Sequence, residues 1–117
     1  MDRFIMPDVT NDLLNEMVEI IVREVSPEKV VLFGSRSRGT ADMDSDLDLL
    51  VIESLPFSPQ RERRNEMTRL WRALAHIPIS KDILVYSHAE IERWQNSLNH
   101  IVGRALREGK ILYEKPC

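Results

Sequence analysis

The sequence predicts an α+β (α/β-like) domain, a small mixed β-sheet with helices packed on it. Two observations predict it. Short β-branched apolar runs alternate with longer stretches whose apolar residues recur at helical spacing. Their order is helix, strand, strand, helix, strand, helix, with a short strand to finish. The 117 residues, 43% hydrophobic and 30% charged, suit one ordinary globular core and leave little room for a second. Residues 1–117 are therefore expected to form one domain.

Residues 10–24 read as an amphipathic helix, because Leu13, Leu14, Met17, Val18, Ile21 and Val25 share one face. Thr10 or Asn11 caps it and Ser26-Pro27 ends it. The run KVVLF, residues 29–33, is a buried strand. Residues 34–39 follow as a turn or single helical turn, and residues 42–46 are polar loop. LDLLVI, residues 47–52, is a second strand.

Ser58-Pro59 reads as an N-cap with proline at the first helical position, opening a helix to about His76. Met67, Leu70, Trp71, Leu74 and Ala75 form its inner stripe, and Pro78 breaks it. KDILVY, residues 81–86, is a third strand. Ser87-His88-Ala89-Glu90 is a capping box that starts another helix. Ile91, Trp94, Leu98, Ile101, Val102 and Ala105 supply its apolar face, with a break near residues 96–99. Gly109 is placed to end it, and residues 111–113 add a last strand.

Composition narrows the function. With 16 basic and 19 acidic side chains the net charge is -3, so nucleic acid is not expected as a direct ligand. The cluster Arg61, Arg63, Arg64, Arg69 and Arg72 reads as a solvated helix face. One cysteine, Cys117, allows neither an internal disulfide nor a cysteine zinc site. Residues 1–7 lack the pattern of a signal peptide, and no run approaches the ~20 apolar residues of a membrane span. The expectation is a cytoplasmic protein with no membrane contact. His76, His88 and His100 are isolated and read as surface or capping residues, while Trp71 and Trp94 are expected to pack in the core.

The chemistry concentrates in residues 33–51, F-GSRSRG-TADMD-SDLDLLV. Side chains alternate along a strand, so Asp46 and Asp48 point one way and Leu47, Leu49 and Val51 point into the core. Two such carboxylates repel each other unless a cation lies between them. Hard oxygens suit Mg²⁺, which is commonly held by one or two carboxylates plus substrate phosphates. If residues 81–86 neighbour that strand, Asp82 joins the same face, and three carboxylates can hold two ions about 3.5–4 Å apart.

Gly34 and Ser35 leave the first strand where backbone N–H groups make an anion site. Glycine lets phosphate approach, the Ser35 hydroxyl adds a donor, and Arg36 and Arg38 add positive charge. A phosphate cradle facing metal-binding carboxylates is the equipment for transferring a nucleotide from a nucleoside triphosphate to a hydroxyl. Asp82 is the natural group to deprotonate that hydroxyl.

The run GSRSRGTADMDSDLDLLV closely resembles the signature of the DNA polymerase β-like nucleotidyltransferase superfamily. The short chain and the closing REGKILYE are similar to its minimal nucleotidyltransferases (MNT, MntA-like), often encoded beside a HEPN-domain protein. The resemblance implies that fold, with Gly34 and Ser35 on the triphosphate, Asp46 and Asp48 on Mg²⁺, and Asp82 completing the site. It further implies an antitoxin that transfers AMP from ATP to a tyrosine of a HEPN toxin. Ser37 stands where alanine is common. These 117 residues are expected to leave no room for the helical domain with which larger members grip base and acceptor, so selectivity is expected to come from a partner chain or to be poor, with a homo-oligomer as the other source of an acceptor site.

Simpler readings compete. A Gly-Ser turn or an Asp-x-Asp pair alone is commonly structural. Asp42, Asp44, Asp46, Asp48 and Glu53 match an EF-hand spacing, but Leu47 stands where that loop needs glycine. GSRSRGT lacks the lysine of a P-loop. A weak enzyme that neutralises its partner by docking, and a transferase acting on a small molecule, are the alternatives to protein modification.

Overall fold

The computed structural model describes residues 11–34 and 46–116. The elements in order are α1 (Asn11–Val25), β1 (Lys29–Phe33), β2 (Leu47–Glu53), α2 (Arg63–Ala73), β3 (Lys81–Ser87), α3 (His88–Trp94), α4 (Ile101–Glu108) and β4 (Lys110–Glu114). The four strands form one mixed sheet in the order β3-β2-β1-β4. β1 runs antiparallel to both β2 and β4, while β2 and β3 are parallel.

Helices cover both faces, because apolar residues occupy both alternating sets of positions along the central strands. Val30 and Leu32 of β1, Leu47, Leu49 and Val51 of β2, and Ile83 and Val85 of β3 pack with Leu14, Met17 and Ile21 of α1 and with Leu70 of α2. The other set, Val31, Leu50 and Ile52, packs under Ile91 of α3 and Val102 and Ala105 of α4. β2 is thus buried along both faces except at Asp48.

Helix α2 departs from expectation. Ser58 does not cap it; Ser58 and Arg61 exchange two backbone hydrogen bonds of 3.0 Å around Pro59-Gln60, and the helix begins after Glu62. The reason is Arg61. Its guanidinium pairs with Glu53 at the end of β2 and donates to the carbonyls of Leu55 (3.0 Å) and Pro56 (3.4 Å), which closes residues 53–61 into a loop. The helix stops at Ala73, three residues before the expected end.

Its inner stripe is also narrower. Leu70 and Leu74 are buried, but Trp71 is 39% exposed and carries Lys81 over its ring, and Ala75 is exposed. Ile77 and Ile79 fill the core instead. Nor are the arginines one solvated face: Arg61 lies outside the helix, and Arg63 pairs with Glu90 between the rings of Phe57 and Tyr86.

The capping box is present, with Ser87 accepting from the Glu90 backbone and Glu90 from that of Ser87. The expected break falls between α3 and α4. Leu98 sits in it, 75% exposed and not on an apolar face. His100 caps α4 through the Val102 N–H (3.1 Å) and stacks on Trp94 at 4.4 Å. Gly109 ends α4 with extended φ; a Cβ there would meet Ala105 O and Val31, so close packing, not a left-handed turn, requires the glycine. Among the described residues no helix is long and apolar enough to cross a membrane.

Candidate active site

The site is set by register. In the antiparallel β1/β2 pair Phe33 stands opposite Asp48, and in the parallel β2/β3 pair Asp48 stands opposite Asp82. Paired residues share a face. Phe33, Asp48 and Asp82 therefore form a row across three strands at one end of the sheet. The preceding row, Leu32, Leu49 and Ile83, points into the α1/α2 core. Alternation then places the two aspartates on the α3/α4 face. Asp46 lies exposed one residue before β2, and Ser80, just before β3, donates a 2.5 Å hydrogen bond to its Oδ1. The Leu47 N–H donates to Ser80 O (2.9 Å), so the two strand entrances are fastened together where the carboxylates gather.

Negative charge is crowded here. Partial burial, then the neighbouring Asp82 and Asp46 carboxylates, push the Asp48 carboxyl above its usual range. Gly34, with φ of +78°, makes the crowding feasible. A Cβ on Gly34 would overlap Asp48 Oδ2 and come within 3.3 Å of its Cγ. Glycine at this position thus permits a left-handed turn and leaves the space that the Asp48 carboxylate occupies.

Of the residues singled out from the sequence, the structure brings Gly34, Asp46, Asp48 and Asp82 to one end of the sheet. Ser35, Arg36 and Arg38 lie outside the described residues, as do Asp42 and Asp44. Ser80 carried no recognisable signal: a serine before a strand is ordinary, and only the β2/β3 pairing brings it to Asp46. The calcium-loop alternative fails, because residues 47–53 form a strand and Glu53 is buried at its far end against Arg61.

Among the described residues, no group of three or more histidine, cysteine or carboxylate side chains is gathered tightly enough to hold a metal ion by itself. The donor chemistry nonetheless fits Mg²⁺: these are hard oxygens whose mutual repulsion a divalent cation relieves, and substrate phosphates ordinarily complete its shell.

Residues 14–112 match the family described as nucleotidyltransferase domain. The chain belongs to that family. No curated protein matches it significantly. Among solved structures, a protein of Sulfolobus solfataricus provisionally described as a nucleotidyltransferase superposes with a TM-score of 0.61 at 22% identity, over 89% of this chain and 79% of that one. A toxin–antitoxin crystal structure with AMP-PNP gives 0.57 at 20% identity, over 87% and 73%. The complex of a tri-AMPylated Shewanella oneidensis HEPN toxin with MNT antitoxin gives 0.50 at 17%, over 87% and 70%. At these identities the likeness is one of fold.

Among the described residues, cavities lie against both faces of the sheet of this nucleotidyltransferase. The larger, about 600 Å³, is lined by Glu24, Asn65, Thr68, Arg69, Arg72 and Ala73. It lies between α1 and α2, on the face away from Asp48, and has no part in the site. The smaller, about 150 Å³, opens beside Phe33 and Gly34 under α4.

Proposed function

We propose that this nucleotidyltransferase transfers AMP from ATP, with Mg²⁺, to a tyrosine hydroxyl of a HEPN-type toxin and so acts as its antitoxin in the cytoplasm. The observation that carries the catalytic part is the alignment of Asp48 with Asp82 beside Gly34, with Asp46 held at the same end by Ser80. An Asp48 carboxyl raised by partial burial and by the Asp82 and Asp46 carboxylates beside it is costly to keep for structure alone. The fold neighbours that are toxin–antitoxin complexes, one with AMP-PNP and one with an AMPylated HEPN toxin, support the choice of nucleotide and acceptor.

In this reading Asp46 and Asp48 hold Mg²⁺, with Asp82 completing the donor set. The ion supplies charge neutralisation at the phosphates when bound. Gly34 and Ser35 cradle the triphosphate through backbone N–H groups, and Arg36 and Arg38 add charge. Asp82 takes the proton of the acceptor hydroxyl. The acceptor oxygen bonds to the α-phosphorus, the bond from that phosphorus to the bridging oxygen breaks, and pyrophosphate leaves with the electron pair.

The deciding experiment combines the protein, labelled ATP, Mg²⁺ and the product of the adjacent reading frame. Label on that partner, lost in Asp46→Asn and Asp48→Asn, supports transfer. Toxin neutralisation that survives both substitutions assigns the protein to docking alone and ends the catalytic reading.

A further inference from the structure

The strand order β3-β2-β1-β4 lines up Asp82, Asp48 and Gly34 across one end of the sheet. This order gives the reaction a direction, if the proposed nucleotidyl transfer holds. The acceptor deprotonated by Asp82 approaches from the β3 side. In-line displacement sends the leaving group the opposite way, past Gly34 towards β4.

On that side lies the smaller cavity, of about 150 Å³, lined by Phe33, Gly34, Ile101, Arg104, Ala105 and Glu108. It is too small for a whole nucleoside triphosphate and has room for one end of it. Among the described lining residues the cation is Arg104. Among the described residues, no hydrogen bond or ion pair of the Arg104 guanidinium is found, and the side chain is exposed. Arg107, one turn further on, is by contrast engaged with the carbonyls of Ser97 (3.2 Å) and Leu98 (3.4 Å). Val102 and Ala105 anchor α4 in the core, so the helix presents Arg104 from a fixed backbone. Glu108 bounds the cavity one turn on.

We propose that Arg104 binds the terminal phosphates of the nucleoside triphosphate and holds the departing pyrophosphate. A guanidinium matches phosphate oxygens with paired N–H donors, and the charge on the leaving group grows as its bond to the α-phosphorus breaks.

The test is equilibrium binding of ATP, AMP and pyrophosphate, with Mg²⁺, to the full chain and to Arg104→Ala and Arg104→Lys. Circular dichroism checks that both exposed-site variants are folded. Arg104→Ala should weaken ATP and pyrophosphate about tenfold or more, and should leave AMP within about twofold. Arg104→Lys should recover part of the loss. Unchanged ATP affinity, or an equal loss for ATP and AMP, overturns the assignment while leaving the transferase reading intact. A wild-type chain that binds neither nucleotide overturns both.

Discussion

Single side chains at the sheet end give the sharpest expectations. In Gly34→Ala the new methyl meets the Asp48 carboxylate, and the left-handed φ of +78° is strained for alanine. Urea unfolding should show a loss of about 1–2 kcal/mol. Displacing the carboxylate should lower the transfer rate by about 10²-fold. Asp48→Asn should separate stability from function. The Asp48 carboxyl is held above its usual range, so its charge opposes folding at neutral pH. Without Mg²⁺ the amide variant should melt higher than the wild type near pH 7.5 while losing label transfer; a lower melting temperature would contradict the crowding. Ser80→Ala leaves the carboxylates in place but frees Asp46. A hydrogen bond to a charged group is worth about 1.5–3 kcal/mol, and the surface site will show part of that, as a severalfold weaker nucleotide KM with an unchanged fold.

At the scale of elements, the loop between β2 and α2 is governed by a buried acid. Glu53, 2% exposed, is paired with Arg61 through Oε1, while its buried Oε2 meets no donor. Burial and the adjacent Glu66 carboxylate outweigh Arg61 and raise the Glu53 carboxyl to about 7. A proton on Glu53, offered to Glu66, resolves the repulsion. The folded chain therefore binds this proton more tightly than the unfolded chain does. Its contribution to stability is complete below the unfolded value of 4.5 and is lost as pH rises through about 7. The span corresponds to a contribution on the order of 3 kcal/mol. Melting temperatures should fall between pH 5.5 and 7.5, and Glu53→Gln should flatten that slope. Arg61 also decided where α2 starts. Ser58-Pro59 is a sound start signal locally, yet in a turn closed by Arg61 the same pair fits a loop equally well.

Across the whole molecule, one sheet is shared by two cores, so the layers should unfold together. Leu70→Ala, in the α1/α2 core, should cost about 2–5 kcal/mol. Calorimetry should still show one transition, because both faces of β2 are buried. Two transitions would mean that α3 and α4 fold separately from the remainder.

The sequence by itself determined the strands, the capping box, the break between α3 and α4, and the shared side of Asp46 and Asp48. Each follows from spacing along the chain: alternation in strands, helical periodicity, and side chains that bond to their own backbone. The tertiary structure decided what depends on distant neighbours. The parallel register sets Asp82 opposite Asp48, Ser80 reaches Asp46, Trp71 stays half in solvent under Lys81, and Arg61 belongs to Glu53. Those pairings join residues far apart in the chain, and local spacing holds no information about which strand a carboxylate will meet.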